Sequence, residues 1–157
     1  MHRRFLVVSM VLFVGLAACS SGPVRRVSPP AASVQQLTVN LDGSWTLLVR
    51  LQNYSSVPMR FESAAISMAV AGVAAGSLNA SPGISIGPES ADVASFALQP
   101  SSGARIAMAD ALATRRPIVY TLEGTVQAAP EDAKARPFKV NTRNTLNPIP
   151  GLDGVLR

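Results

Sequence analysis

Residues 37–52 read L-T-V-N-L-D-G-S-W-T-L-L-V-R-L-Q, and the alternation within them decides the fold class. Leu37, Val39 and Leu41 alternate with Thr38 and Asn40; beyond Asp42-Gly43, Trp45, Leu47, Val49 and Leu51 alternate with Thr46, Arg50 and Gln52. A period of two sends successive side chains to opposite faces of a strand, and Asp-Gly between two such runs signals a hairpin.

Working outward, Asn53-Tyr54-Ser55-Ser56-Val57-Pro58 predicts a turn, because Asn and Ser side chains bond nearby backbone and Pro fixes the exit. Met59 and Phe61 open a third, bent strand that continues to Val70 with Ile66, Met68 and Val70 on one face. Gly72 and Gly76 mark a turn followed by a glycine-weakened strand. Further strands are predicted at 84–86, at 91–98 with Ala94, Phe96 and Leu98 opposite Val93, at 118–122 with Ile118, Tyr120 and Leu122 on one face, and at 137–143 around Phe138 and Val140. Only 104–114 predicts a helix, with Ile106, Ala109 and Leu112 as its apolar stripe and Met108 beside it. The tail from Asn147 to Gly154, N-P-I-P-G-L-D-G, predicts irregular structure. Six to eight short strands with one helix point to an all-β sandwich rather than to βαβ units. With a single cysteine in the chain, an immunoglobulin-type Cys–Trp–Cys core is impossible, so Trp45 is expected simply in the core.

Before this region lies a stretch of another kind. His2, Arg3 and Arg4 precede an apolar run from Phe5 to Val14 broken only by Ser9, and Leu16-Ala17-Ala18-Cys19 follows. A basic start, a short apolar core and a small-residue cleavage site mark a secretory signal; the run falls short of the ~20 residues that span a bilayer. Leu16, Ala17, Ala18 and Cys19 resemble the bacterial lipobox, which implies that residues 1–18 are removed and Cys19 is acylated. The alternative is an ordinary signal peptide with an incidental cysteine. Ser20 follows the acceptor position; an aspartate there would resemble an inner-membrane retention signal, so serine fits delivery to an outer membrane. Residues 20–32, rich in Ser, Gly and Pro, read as a tether that reaches about 40 Å when stretched. Arg25 and Arg26 on it are placed to meet anionic headgroups or simply to aid solubility. The expected organisation is therefore a signal at 1–18, a lipidated cysteine and tether at 19–32, a sandwich at 33–145 and a tail at 146–157.

Such processing narrows the chemistry. It leaves 139 of 157 residues, enough to bury roughly 68% of the unfolded surface without a disulfide or metal. The only histidine, His2, is lost with the signal and the only thiol carries lipid. Ser-His and Cys-His nucleophile pairs and His/Cys zinc sites are then impossible, so no catalytic residue, metal or cofactor is expected. Gly83-Ile84-Ser85-Ile86-Gly87 matches the G-x-S-x-G nucleophile elbow, but Pro82 and Pro88 bracket it where that motif needs a strand and a helix. A short strand between turns is the expected reading. Loss of Arg3 and Arg4 leaves 12 basic against 9 acidic residues, a net of +3 with no basic cluster, so nucleic acid is not an expected partner.

Four stretches carry a family resemblance: T-L-L-V-R-L-Q-N-Y-S-S-V-P-M-R-F, I-S-M-A-V-A-G-V-A-A-G-S-L, the Pro88-flanked turn before 91–98, and V-Y-T-L-E-G-T-V. Over residues 33–143 the chain resembles the late embryogenesis abundant type-2 domain, also termed the WHy (water stress and hypersensitive response) domain. Asn53, Pro58, Gly72, Gly76 and Gly124 match that pattern; Tyr54 and Ser55 stand where the family commonly shows Pro-Asn. The resemblance implies an immunoglobulin- or fibronectin-III-like Greek-key β-sandwich, no catalytic residues, and a stress-protective or interaction module.

Three functions follow as expectations. The first is a non-enzymatic envelope lipoprotein held to a membrane through Cys19, on the outer membrane facing the periplasm. The second is an accessory subunit that binds an unidentified protein by strand addition at an exposed edge. The third is a sandwich that binds a lipid or other apolar ligand.

Overall fold

The computed structural model describes residues 25–157. The signal segment, Leu16, Ala17, Ala18, Cys19 and Ser20 lie outside those residues. Strands β1 (Ala31–Val39) and β2 (Trp45–Gln52) pair antiparallel as the alternation predicts, with Val39 opposite Trp45. β3 (Met59–Val70), β4 (Val73–Ala80), β5 (Ile84–Ile86) and β6 (Ala91–Leu98) follow, then helix α1 (Ser102–Ala113), β7 (Ile118–Pro130), β8 (Arg136–Leu146) and β9 (Val155–Leu156). One sheet runs β6-β2-β1-β9; the other runs β4-β3-β7-β8, with β5 alongside the first residues of β3. Every pairing is antiparallel. The crossovers β2→β3 and β6→β7 link strands that pair with each other in both sheets, β2 with β6 and β3 with β7, which gives the Greek-key connection. The described residues form an all-β sandwich with one short helix.

Trp45, Leu47, Val49 and Leu51 from one sheet meet Phe61, Ile66, Met68, Tyr120 and Leu122 from the other, all essentially inaccessible to solvent. Burying each such side chain contributes about 1.5–3 kcal/mol. Three bulges let the buried set switch parity along a strand. Gln35 in β1 is the extra residue between Val34 and Gln36, so Val34 and Leu37 both face inward. Glu62 in β3 is the extra residue opposite β7, so Met59 and Phe61 are followed inward by Ala64 and Ile66. Ala75 does the same in β4, where Ala75 and Leu78 are both buried. The bend predicted for the third strand is this second bulge.

The structure differs from the sequence reading at four places. Leu41 does not continue the inward row of β1; it is fully exposed in the turn closed by the Asn40 N–H to the Ser44 carbonyl at 2.8 Å. The helix starts at Ser102 and buries Ala104, Met108 and Ala111, while Ile106 is exposed. Its docking face is set by close approach to β4, where a Cβ on Gly103 would sit 3.1 Å from Val73, and small side chains permit that approach. The tail is not wholly irregular: Leu156 pairs with Leu37 and is fully buried, a two-residue edge strand too short to show alternation. Finally, residues 25–30 are not free tether, since Arg26 and Ser28 bond to the β2–β3 turn, and β1 begins at Ala31 within the segment read as tether.

Candidate functional site

Because β2 and β6 run toward or away from the same end as β3, β7 and β8, the loops sort into two groups. One end carries the β2–β3 turn, the β5–β6 loop, the β7–β8 loop and residues 25–30. The other carries the β1–β2 and β3–β4 turns, α1 and residues 147–154.

At the first end Asn53 organises everything near it. Its side chain is 1% exposed. Nδ2 donates to the carbonyls of Val57 (2.9 Å), Ile86 (3.1 Å) and Gly87 (2.8 Å), and Oδ1 accepts the Ser55 N–H at 2.8 Å. The Asn53 N–H donates to the Ser90 carbonyl at 2.8 Å. Asparagine is suited to this position because one planar group supplies donors and an acceptor, whereas a carboxylate would face three carbonyls without a proton to give. Ser55, fully buried, extends the knot: its Oγ accepts the Ser28 N–H at 3.0 Å and donates to the Ser28 carbonyl at 3.3 Å. Arg26 adds a second strap. Its N–H donates to Ser56 Oγ (2.8 Å) and its carbonyl accepts the Ser56 N–H (3.0 Å). Its guanidinium reaches Glu89 Oε1 (2.9 Å) and the Tyr54 carbonyl (3.3 Å). Arg25 lies 3.6 Å from Asp132. The N-terminal segment is thus fastened onto the sandwich, so Arg25 and Arg26 face carboxylates of their own domain.

The other matched residues do not converge there. Pro58 leaves the same turn and is exposed. Gly72 sits in the two-residue β3–β4 turn with Ala71, at φ +78° and +49°, the twist of a type I′ hairpin. Gly76 lies at the β4 bulge, where a Cβ would meet Leu98 Cδ1 at 2.8 Å. Gly124 faces β3, and a Cβ there would overlap the Ala65 carbonyl oxygen and Ile66 Cα. Gly72 serves the turn conformation, Gly76 the packing of β4 against Leu98 of the other sheet, and Gly124 the close approach of β7 and β3 backbones. Sequence reading missed Ser55 and Ser28 as partners and missed Tyr120 and Thr142 as links between sheets; the pairing of residues 27 or more positions apart has no local signal.

Ser85, the serine of G-x-S-x-G, is on the short strand β5 and donates to Glu131 Oε1 at 3.1 Å. Among the described residues, no group of three or more His, Cys, Asp or Glu is placed to hold a metal ion, and no helix is long and apolar enough to cross a membrane. Asp42 is held below the ordinary carboxylate value by the Ser44 hydroxyl and N–H, a local turn contact. Surface grooves include one of about 370 Å³ between the end of α1 and residues 148–154, and one of about 330 Å³ between the β4–β5 loop and β6.

No protein-family model matches the chain. No curated protein matches it either. Solved structures do. The solution structure of AT1g01470 from Arabidopsis thaliana aligns over 88% of this chain and 93% of its own at 13% identity, with a TM-score of 0.51. A solution structure described as a late embryogenesis abundant (LEA) protein, At2g46140.1, aligns over 93% and 86% at 18% identity and a TM-score of 0.47. A crystal structure of a protein from Archaeoglobus fulgidus aligns over 78% and 99% at 16% identity and a TM-score of 0.37. The first shows that this chain shares that protein's fold.

Proposed function

We propose that this chain is a non-enzymatic envelope lipoprotein, anchored through an acylated Cys19 and carrying a late embryogenesis abundant type-2-like sandwich as a protective or binding module. The observation that carries this reading is Leu16-Ala17-Ala18-Cys19 directly after a short apolar run with a basic start. The fold shared with AT1g01470 supports the sandwich half of the reading. Asn53 at the turn and Gly124 against β3 support the family assignment at the level of motif. Ser20 favours the outer membrane, facing the periplasm. Acylation by more than one chain gives stable anchoring where a single chain is marginal. The test is Cys19→Ala followed by fractionation: the variant moves to the soluble fraction and ceases to incorporate labelled fatty acid. Quantitative retention in membranes would overturn the anchor.

A second reading, an accessory subunit that binds by strand addition, has one observation in its favour. β6 ends its sheet with Val93, Ser95 and Ala97 exposed and Asp92 as its single exposed charge, whereas β4 is partly covered by Ser101, which donates to the Ala74 and Ala75 carbonyls. Edge strands are ordinarily protected by charges, prolines or cover. Recovery of a stoichiometric partner from solubilised membranes would favour this reading. The apolar-ligand reading has less support, because Trp45, Phe61, Met68 and Tyr120 occupy the space between the sheets.

A further inference from the structure

The tether inferred from composition runs to residue 32, yet the chain is already fastened to the sandwich at Arg25 and Arg26. The backbone of Arg26 exchanges two hydrogen bonds with Ser56, its guanidinium reaches Glu89 and the Tyr54 carbonyl, and Ser28 exchanges two bonds with the fully buried Ser55. Exposed ion pairs such as Arg26–Glu89, screened by water, contribute little to holding the segment. The backbone bonds around Ser55 and Ser56 therefore do most of the holding. Only residues 20–24 separate Cys19 from this clasp. Six residue steps span at most about 20–22 Å when fully extended, half the reach that the composition of 20–32 implies. The sandwich is longer than that: the 12 residues of β3 measure about 40 Å at ~3.3 Å each.

We propose that a leash of residues 20–24 holds the Asn53 end of the sandwich against the lipid headgroups, so that the β2–β3, β5–β6 and β7–β8 loops form a bilayer-facing surface. The inference rests on the acylated Cys19 put forward above. Charge does not drive it. Arg25, Arg26 and Arg60 are paired with Asp132, Glu89 and Glu62, and the exposed Lys134 and Arg136 share the β7–β8 loop region with Glu131, so charges of both signs are mixed and the surface suits a bilayer of low net charge as well as an anionic one. Tyr54, half exposed at the tip of the β2–β3 turn, is the kind of side chain that sits at headgroup level, with an apolar ring and a polar end. The orientation leaves exposed Leu41 and Leu152, both at the far end, directed away from the lipid and open to partners.

The full-length acylated protein provides the test, because Cys19 is the only native cysteine and its thiol is consumed by lipid, leaving any engineered cysteine as the one free thiol. Tyr54→Cys and Leu41→Cys, each carrying a donor dye, are placed in vesicles of phosphatidylethanolamine and phosphatidylglycerol with an acceptor on the headgroups. Energy transfer is expected to be several-fold greater from position 54 than from position 41. A Gly-Ser insertion after Gly22 of about ten residues, which adds over 30 Å of reach, is expected to lower transfer at position 54. Equal or reversed transfer in protein that floats with the vesicles would overturn the orientation and leave the anchor standing. An insertion without effect would overturn the leash as its cause. Failure of the protein to float with vesicles would overturn the anchor, and the orientation with it.

Discussion

The phenolic oxygen of Tyr120 accepts the backbone N–H of Val34 at 2.9 Å, a buried bond between strands of opposite sheets and residues 86 positions apart. β1 pairs with β2 along its length but with β9 only at Leu37 and Thr38, so among the described residues no strand pairs with the other side of its first residues. Side chains of the opposing sheet take that place: Tyr120 serves Val34, and Thr142 Oγ1 donates to the Ala32 carbonyl at 2.8 Å. A buried backbone N–H without a partner is costly, which explains a tyrosine rather than a phenylalanine at this position.

Tyr120→Phe leaves the Val34 N–H unsatisfied and is expected to destabilise the domain by about 1–3 kcal/mol, measured by urea unfolding. Burial holds the Tyr120 hydroxyl above its ordinary value of 10.0, with the Val34 N–H opposing the shift. A raised pKa means that the native state keeps its proton longer than the unfolded chain. This group's contribution is therefore whole below about pH 10 and is lost as the pH climbs through the native value. Wild-type stability should fall above pH 10, and the phenylalanine variant should show a smaller fall over the same interval.

Asn53→Ala removes donors to three carbonyls and the acceptor for Ser55 in a site 1% exposed. A loss of roughly 2–4 kcal/mol is expected, from several buried groups left unpaired. Asn53→Asp should be at least as harmful near neutral pH, because an ionised carboxylate would point at those carbonyls. Its deficit should shrink in acid, where the protonated form regains one donor. Equal stability of wild type and Asn53→Asp in chemical denaturation would contradict the hydrogen-bond assignment.

Gly124→Ala brings a Cβ into overlap with the Ala65 carbonyl and forces β3 and β7 apart, with an expected cost of about 1–3 kcal/mol or more. Ala71→Gly runs the other way. Ala71 occupies φ +49° in the β3–β4 turn, and relief of that strain against the greater unfolded freedom of glycine predicts a gain of about 0.5–1 kcal/mol. Thermal unfolding of the two variants should move in opposite directions.

Met108→Ala empties a fully buried site under α1, with an expected cost of about 2–5 kcal/mol, whereas Ile106→Ser should change stability by less than about 0.5 kcal/mol. The opposite ranking would restore the face read from three-residue spacing.

The sequence by itself determined most of the strands, most of their inward rows and the β1–β2 hairpin, because a strand's side-chain period is local and the core demands that one face be apolar. Even the bulges left a trace: the inward row of β3 moves from odd-numbered Met59 and Phe61 to even-numbered Ala64 and Ile66. Asn53 was legible as a turn residue for the same reason, since its bond to Ser55 spans two positions. Tertiary structure alone decided which helix face is buried, because α1 docks through small side chains against β4 and the alanine-rich sequence has little amphipathic contrast to betray that choice. It alone made a strand of Val155–Leu156, whose order comes from Leu37 beside it. It alone turned Arg25, Arg26 and Ser28 from tether into clasp. Their partners, Asp132, Glu89, Ser56 and Ser55, lie 27 to 107 positions away, and no local pattern records which distant groups folding will bring within hydrogen-bonding reach.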